Sequence, residues 1–142
     1  MGTISFTNHQ ISLLLKDKLL LKTFLPTIFI EEGWEFKSLS YIFCSDQYLL
    51  QLNQKYLKHN TYTDILTFTL SGTSLPIVSE IYISIDRVRE NAQELNLSFT
   101  DELHRVMIHG ILHLCGYSDH TPQLKEKIHK KEDYYLDKLR ST

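Results

Sequence analysis

The stretch SFTDELHRVMIHGILHLCGYSDH, residues 98–120, is the most informative part of the sequence for predicting the fold. Ser98 and Asp101 have the spacing of a capping box ahead of a run with helical hydrophobic periodicity, which predicts a helix over about residues 100–114. Gly116 supplies the stop signal, because glycine readily adopts the left-handed conformation that closes a helix. The stretch therefore predicts one central helix followed by a sharp turn.

Two histidines, His109 and His113, lie four residues apart near the end of this predicted helix. That spacing places both imidazoles on one helix face, one turn apart, where both can reach one metal ion. The glycine turn lets the chain fold back and offer a third ligand. Asp119 and His120 both carry ordinary zinc-ligating groups, and this reasoning leaves the choice between them open. The segment 109–120 is therefore predicted to bind one divalent metal ion per chain, with zinc as the first choice.

The residues around these histidines narrow the expected reaction. Gly110 follows His109 directly, so the HExxH glutamate that serves as general base in helical zinc proteases is missing. A metal ion that acidifies water and clamps an anionic substrate needs less help from the protein, and phosphodiester hydrolysis fits this description. Arg105, one helical turn before His109, is predicted to hold a phosphate near the metal. The alternative is an ion pair between Arg105 and Glu102 or Asp101.

Length and composition predict a single soluble domain, residues 1–142. The chain has 142 residues, 42% of them hydrophobic and 23% charged, with a formal net charge of −2, which is ordinary for a globular protein with one core. The charge argues against a protein that coats nucleic acid through bulk positive charge. Cys44 and Cys115 form no CxxC pair and are expected to be buried thiols. No stretch approaches the roughly 20 apolar residues of a membrane span, so we expect no membrane partner and a cytoplasmic location.

Hydrophobic periodicity predicts an α+β domain: a small mixed four-stranded sheet packed with about five helices, with the metal site at the end of the central helix. A first strand is expected near residues 4–7, alone or in a hairpin with 11–15. Pro26 is expected to kink or split a helix over 19–32. The other predicted elements are strand 36–44, helix 46–57 capped by Ser45 or Asp46, strand 65–70, loop 71–76, strand 80–85, helix 86–95, and a last helix that begins at Thr121-Pro122 and runs to about Leu139.

The block His-Gly-x-Leu-His-Leu-x-Gly-Tyr at residues 109–117 closely resembles the signature of the bacterial rRNA-maturation endoribonucleases called the YbeY family. Two further blocks agree. Leu-Asn-x-x-Tyr at 52–56, followed by Thr-Asp-Ile-Leu-Thr-Phe at 63–68, resembles the family's LNxx[FY]R…PTDVLSF stretch. Glu-Ile-Tyr-Ile-Ser at 80–84 resembles its GDIxIS strand. With the expected order and spacing, the resemblance covers nearly the whole chain.

The resemblance implies a single-strand-specific, metal-dependent endoribonuclease that acts late in small-subunit ribosome assembly, on the 3′ end of 16S rRNA. The implied partners are the 16S rRNA precursor and the small ribosomal subunit. The family's third metal-binding histidine lies ten residues after the first, which corresponds to Asp119 in an ungapped match and to His120 only with an insertion. We therefore expect His109, His113 and Asp119 to bind the metal, and His113 and Arg105 to be the catalytic residues.

The sequence departs from the family pattern at two further positions. Leu57 stands where the family has an arginine that lines the cleft, and Lys58 or His59 could supply its charge. Tyr62 replaces a proline and is expected to pack in its loop, with stacking on a base as the alternative. Two other functions stay open: a small zinc-dependent hydrolase of peptides, and a ribosome-assembly factor whose metal is structural or weakly catalytic.

Overall fold

The computed structural model describes residues 2–57 and 63–142. Within those ranges it contains four strands and five α-helices, which confirms the predicted α+β class with a small mixed sheet. In chain order the elements are β1 (Thr3–Asn8), α1 (Lys18–Glu32), β2 (Phe36–Cys44), α2 (Asp46–Leu57), β3 (Ile65–Thr69), β4 (Ile77–Ser84), α3 (Ile85–Leu95), α4 (Phe99–Leu114) and α5 (Pro122–Arg140).

The strands form one sheet in the order β1-β2-β4-β3. β1, β2 and β4 are parallel, and β3 runs antiparallel to β4 at the edge. Successive strand residues point to opposite faces of a sheet. Accordingly, Ile81 and Ile83 enter the larger core, which is shared with α1, α4 and α5. Tyr82 packs instead against the smaller cluster that contains Leu49 of α2. The sheet is therefore covered on both faces.

Helix α4 is the central helix of the larger core. Met107 and Ile111 are fully buried, and the Tyr41 hydroxyl donates a hydrogen bond of 2.8 Å to the carbonyl of Met107. The helix begins as predicted, because the Ser98 hydroxyl accepts a hydrogen bond of 3.1 Å from the N–H of Asp101. This cap and the surrounding packing fix the position of the helix end that carries the two histidines.

Gly110 lets α4 lie close to the sheet. A Cβ at this position would be 2.8 Å from Cδ1 of Ile81 and 3.0 Å from Cδ1 of Ile65, so any larger side chain would push the helix or these isoleucines apart. The glycine that rules out the HExxH pattern therefore has a packing role. The close approach places the neighbouring His109 in the same cleft as residues of β3.

The structure decides between alternatives at two places in the predicted fold, and β1 is the single strand and not part of a hairpin. Residues 11–15 form no strand, because β1 pairs in parallel with β2 and the chain must cross over through α1 before it returns. Pro26 does not split α1, which runs unbroken as one helix. The cost of an interior proline is about 3 kcal/mol. The continuous helix indicates that burial of Leu25 and Phe29 against the sheet outweighs this cost.

The two cysteines are buried and free, as expected. Burial raises the pKa of both Cys44 and Cys115 to about 12, which favours the protonated thiol at neutral pH. Within residues 2–57 and 63–142, no helix combines the length and apolarity needed to cross a lipid bilayer.

Candidate metal centre

Three side chains meet where α4 ends and the next loop turns back. Nε2 of His109 lies 2.8 Å from Nε2 of His113. A carboxylate oxygen of Asp119 lies 3.8 Å from the first nitrogen and 3.7 Å from the second. One donor atom from each residue falls within 4.8 Å of the others, so the cluster could hold a metal ion.

The donor set of this cluster fits a divalent ion. Zinc is ordinarily bound by imidazole nitrogens and carboxylate oxygens at about 2.0–2.2 Å, which in a tetrahedral site places ligand atoms roughly 3.3 Å apart. The separations among His109, His113 and Asp119 span this value. Desolvation and the neighbouring His109 lower the pKa of the His113 imidazole, which favours the neutral form that a metal requires.

The loop after α4 brings Asp119 back to the histidines. Gly116 has a φ of +95°, and its N–H donates to the carbonyl of His113 at 3.0 Å. The Tyr117 hydroxyl donates to a carboxylate oxygen of Glu32 at 2.8 Å, which ties the loop to α1. His120 is exposed and, among the described residues, lies outside the cluster. Of the two candidates for third ligand, the structure brings Asp119 next to the histidines.

The substitution Gly116→Ala is expected to weaken zinc binding as well as stability. A side chain at this positive φ costs about 1–2 kcal/mol, and relaxation of the turn would move Asp119 away from the histidines. The matched control is Gly33→Ala, which removes another positive-φ glycine, with φ of +81°, at the end of α1. We expect both variants to lose stability in chemical unfolding, but only Gly116→Ala to lose zinc affinity in a titration. Equal zinc affinities would contradict this role of the turn.

A buried charged network lies behind His109. Nδ1 of His109 contacts a carboxylate oxygen of Glu132, on α5. Arg105 donates to the other oxygen of Glu132 at 3.0 Å, and its Nε and Nη2 donate to Glu102 at 2.8 and 2.6 Å. The side chains of Glu102 and Glu132 are 0% and 1% exposed. The network therefore joins α4 to α5 directly beneath the cluster.

Opposing effects set the pKa values in this network. Burial would raise the pKa of Glu132, but the contacts with His109 and Arg105 hold it below its ordinary value. Burial would likewise lower the pKa of Arg105, and the two carboxylates instead raise it. Glu132 is therefore an ionised hydrogen-bond acceptor for His109 at neutral pH.

Arg105 makes the ion pair that was the alternative to a phosphate contact. Its guanidinium lies between Glu102 and Glu132, whereas Asp101 pairs with Arg140 at 3.2 Å. Within the described part of the chain, Arg105 is not one of the residues that line the cleft beside the histidines. Its contact with a substrate phosphate stays a prediction, since its observed contacts reach the cluster only through Glu132.

Sequence reasoning missed Glu132. It lies on the same face of α5 as the buried residues Ile128, Tyr135, Leu136 and Leu139. A charged residue within an apolar stripe is rarely buried without a partner, so the pattern could have marked it. The identity of its partner depends on how α5 packs against α4, and hydrophobic periodicity does not give this.

The cluster opens into a cleft of about 670 Å³ between α4, the edge strand β3 and the loop that follows it. The residues that line it include Trp34, Asp64, Thr67, Thr69 and Ser74. None of the described lining residues is a lysine or an arginine.

The positions around the expected family arginine were also singled out in the sequence. Lys58 and His59, and also Tyr62, lie outside the described residues. Leu57 is 44% exposed at the end of α2 and does not line the cleft. The roles predicted for these four side chains therefore stay predictions.

Comparisons with known proteins agree on one group of relatives. A family model described as "Endoribonuclease YbeY" matches residues 4–140. An endoribonuclease YbeY from Cytophaga hutchinsonii is 47% identical over 134 residues, which cover 94% of each chain. One from Flavobacterium psychrophilum is 42% identical over 133 residues, again 94% of each chain. The solution structure of TM1509 from Thermotoga maritima has a TM-score of 0.65 at 30% identity, covering 96% of this chain and 88% of that one.

Proposed function

Since this chain belongs to the endoribonuclease YbeY family and is a metal-dependent endoribonuclease, we propose that it cuts single-stranded RNA in the cleft beside His109, His113 and Asp119. The proposed substrate is the 3′ end of the 16S rRNA precursor in the small ribosomal subunit, during late assembly and quality control in the cytoplasm. Residues 1–142 act as one metallo-endoribonuclease domain. The observation that carries the proposal is a cluster of three metal-capable side chains that opens into a cleft.

In this proposal His109, His113 and Asp119 hold one divalent ion, with zinc as the first choice. Such an ion acidifies a water molecule and neutralises charge on the phosphate. Asp119 gives the donor set one more negative charge than three histidines would, and carboxylates suit harder ions than imidazoles do. Elemental analysis of the purified protein should therefore test for manganese as well as zinc.

The cleft itself supports a single-stranded substrate. Duplex RNA is recognised mostly through its phosphates and 2′-hydroxyl groups, whereas single strands expose bases that stack on aromatic rings and form hydrogen bonds. The described lining offers the ring of Trp34 and the hydroxyl groups of Thr67, Thr69 and Ser74, and no basic side chain. These groups suit exposed bases better than a continuous run of phosphates.

The proposed activity can be tested on three substrates in parallel. Metal-loaded protein is incubated with a single-stranded RNA, with the same RNA annealed to its complement, and with casein. We expect cleavage of the single strand alone, and its loss after chelation. Cleavage of casein would favour a peptide hydrolase. Binding to small ribosomal subunits without cleavage of any substrate would favour an assembly factor.

Trp34 is expected to report RNA binding through its fluorescence. It is the single tryptophan of the chain, is 37% exposed and lines the cleft. A base that enters the cleft should stack on the indole or displace water from it, and so quench or shift the emission. The titrant is a 2′-O-methyl single strand, and Trp34→Phe is the control for signal from elsewhere. Unchanged emission at an RNA concentration that saturates a mobility-shift assay would contradict binding in this cleft.

A further inference from the structure

The two ring nitrogens of His109 have different contacts. Nε2 faces His113 and Asp119. Nδ1 faces the opposite way and contacts the carboxylate of Glu132. Because that carboxylate is 1% exposed, it has no hydration shell to compete with the imidazole.

For a neutral imidazole, the contact between His109 and Glu132 allows only one tautomer. A neutral imidazole has one N–H donor and one lone pair, and a carboxylate can only accept. The contact with Glu132 therefore requires the proton on Nδ1, which leaves the lone pair of Nε2 for the cluster. The opposite tautomer would place two acceptors against each other at Glu132 and an N–H where a metal would bind.

The carboxylate of Glu132 is itself held in place. Arg105 donates to the oxygen that His109 does not use, at 3.0 Å. Arg105 is fixed in turn by its two hydrogen bonds to Glu102, which is fully buried. The carboxylate of Glu132 is thus a fixed, negatively charged acceptor directly behind His109. That charge makes the imidazole a stronger ligand for a cation.

We propose that Glu132 is a positioning residue for the metal site: supported by Arg105 and Glu102, it fixes the Nδ1–H tautomer of His109 and aims Nε2 at the metal. This inference rests on the proposed function only in that the cluster binds a metal. It assigns to α5 a part in metal binding that its distance along the chain from the donor residues would not indicate.

The first test uses the unaltered, metal-free protein. Long-range ¹H–¹⁵N correlation spectra distinguish the two tautomers of a histidine. We expect His109 to carry its proton on Nδ1 before any metal is added. A His109 ring protonated on Nε2 and not on Nδ1 would overturn the proposal, and this outcome does not depend on whether any variant folds.

The second test measures zinc affinity by competition with a chromophoric chelator. Removal of the outer partner of a metal-binding histidine typically costs about 10- to 100-fold in metal affinity. We expect a loss in this range for Glu132→Gln, together with a larger share of the Nε2–H tautomer of His109. The matched control is Glu126→Gln on the same helix, since Glu126 is 70% exposed and pairs only with Lys130 in the described structure. Unchanged zinc affinity in a folded Glu132→Gln variant would overturn the proposal.

A failure of the positioning role can be distinguished from a failure of the proposed RNA cleavage. If the tautomer and the zinc affinities are as expected but no RNA is cut, the activity fails and the positioning role stands. If RNA is cut but His109 has the other tautomer, the positioning role fails and the activity stands.

Discussion

The substitution His113→Ala is expected to reduce RNA cleavage by more than about a hundredfold, because loss of a metal ligand should exceed the 10- to 100-fold effects typical of outer partners. His113 donates one of the two nitrogens of the cluster, 2.8 Å from the other. Its lowered pKa leaves it neutral and ready to bind. Without it, His109 and Asp119 are left as a two-donor site, which binds a divalent ion weakly. Zinc content and cleavage of single-stranded RNA, measured on the same preparation, are expected to fall together.

The matched control for this variant is His120→Ala. His120 is an exposed histidine close to the cluster in sequence, and its backbone N–H donates to the hydroxyl of Ser118 at 3.2 Å. We expect it to leave zinc content and cleavage unchanged, whereas Asp119→Ala should behave like His113→Ala. Cleavage that survives in His113→Ala would show that the activity belongs to a contaminant. Loss of zinc in His120→Ala, but not in Asp119→Ala, would show that His120 is the third ligand.

The substitution Arg105→Leu is expected to lower the free energy of unfolding by about 3–5 kcal/mol, the usual cost of breaking a buried ion pair from one side. It would leave the carboxyl groups of Glu102 and Glu132, whose side chains are 0% and 1% exposed, without their shared guanidinium. This is a large share of the 5–15 kcal/mol that holds a typical domain together. Urea denaturation at neutral pH measures the effect.

A second arginine, Arg140 at the end of α5, supplies the control. Arg140 pairs with Asp101 of α4 at 3.2 Å, but the side chains are 50% and 40% exposed. An exposed pair contributes about 0–1 kcal/mol, so Arg140→Leu should be nearly neutral. Similar losses in the free energy of unfolding for Arg105→Leu and Arg140→Leu would contradict the importance of burial.

The penalty of Arg105→Leu should also depend on pH. Glu132 in the native protein has a lowered pKa, so the stability contributed by its ionised form is present above the usual glutamate pKa of about 4.3 and is lost as the pH falls through the native value. In the variant, protonation removes the uncompensated charge. The difference in the free energy of unfolding between the variant and the native protein is therefore expected to be largest at pH 7 and to become smaller in acid. A constant difference from pH 7 to pH 3 would argue that the loss comes from packing.

The sequence predicted those parts of the site that depend on local geometry. The cap at Ser98, the helix that follows it and the turn at Gly116 are all set by residues close in the chain. His109 and His113 share a helix face for the same reason. Asp119 was favoured by an ungapped match to the family pattern, and the structure places it beside the histidines.

The parts that could not be predicted depend on long-range packing. Glu132 reaches His109 only because α5 packs against α4, and periodicity does not say which helices are neighbours. The same limit applies to Arg105, for which the sequence allowed two partners on its own helix but not the carboxylate on α5. The same limit left the choice between a single first strand and a hairpin open, because alternation over residues 11–15 indicates burial of alternate side chains but not their pairing.

The segment 109–119 contains all three donor atoms of the cluster, and this has a consequence for the order of folding. Few residues separate the donors, so the entropy lost in bringing them together is small compared with that of closing a long loop. The donor atoms can meet as soon as α4 and its closing turn exist, whereas the carboxylate of Glu132 arrives only when α5 docks. Early in folding the segment would thus be a weak chelator of low contact order. It would become a strong one when the last helix completes the fold.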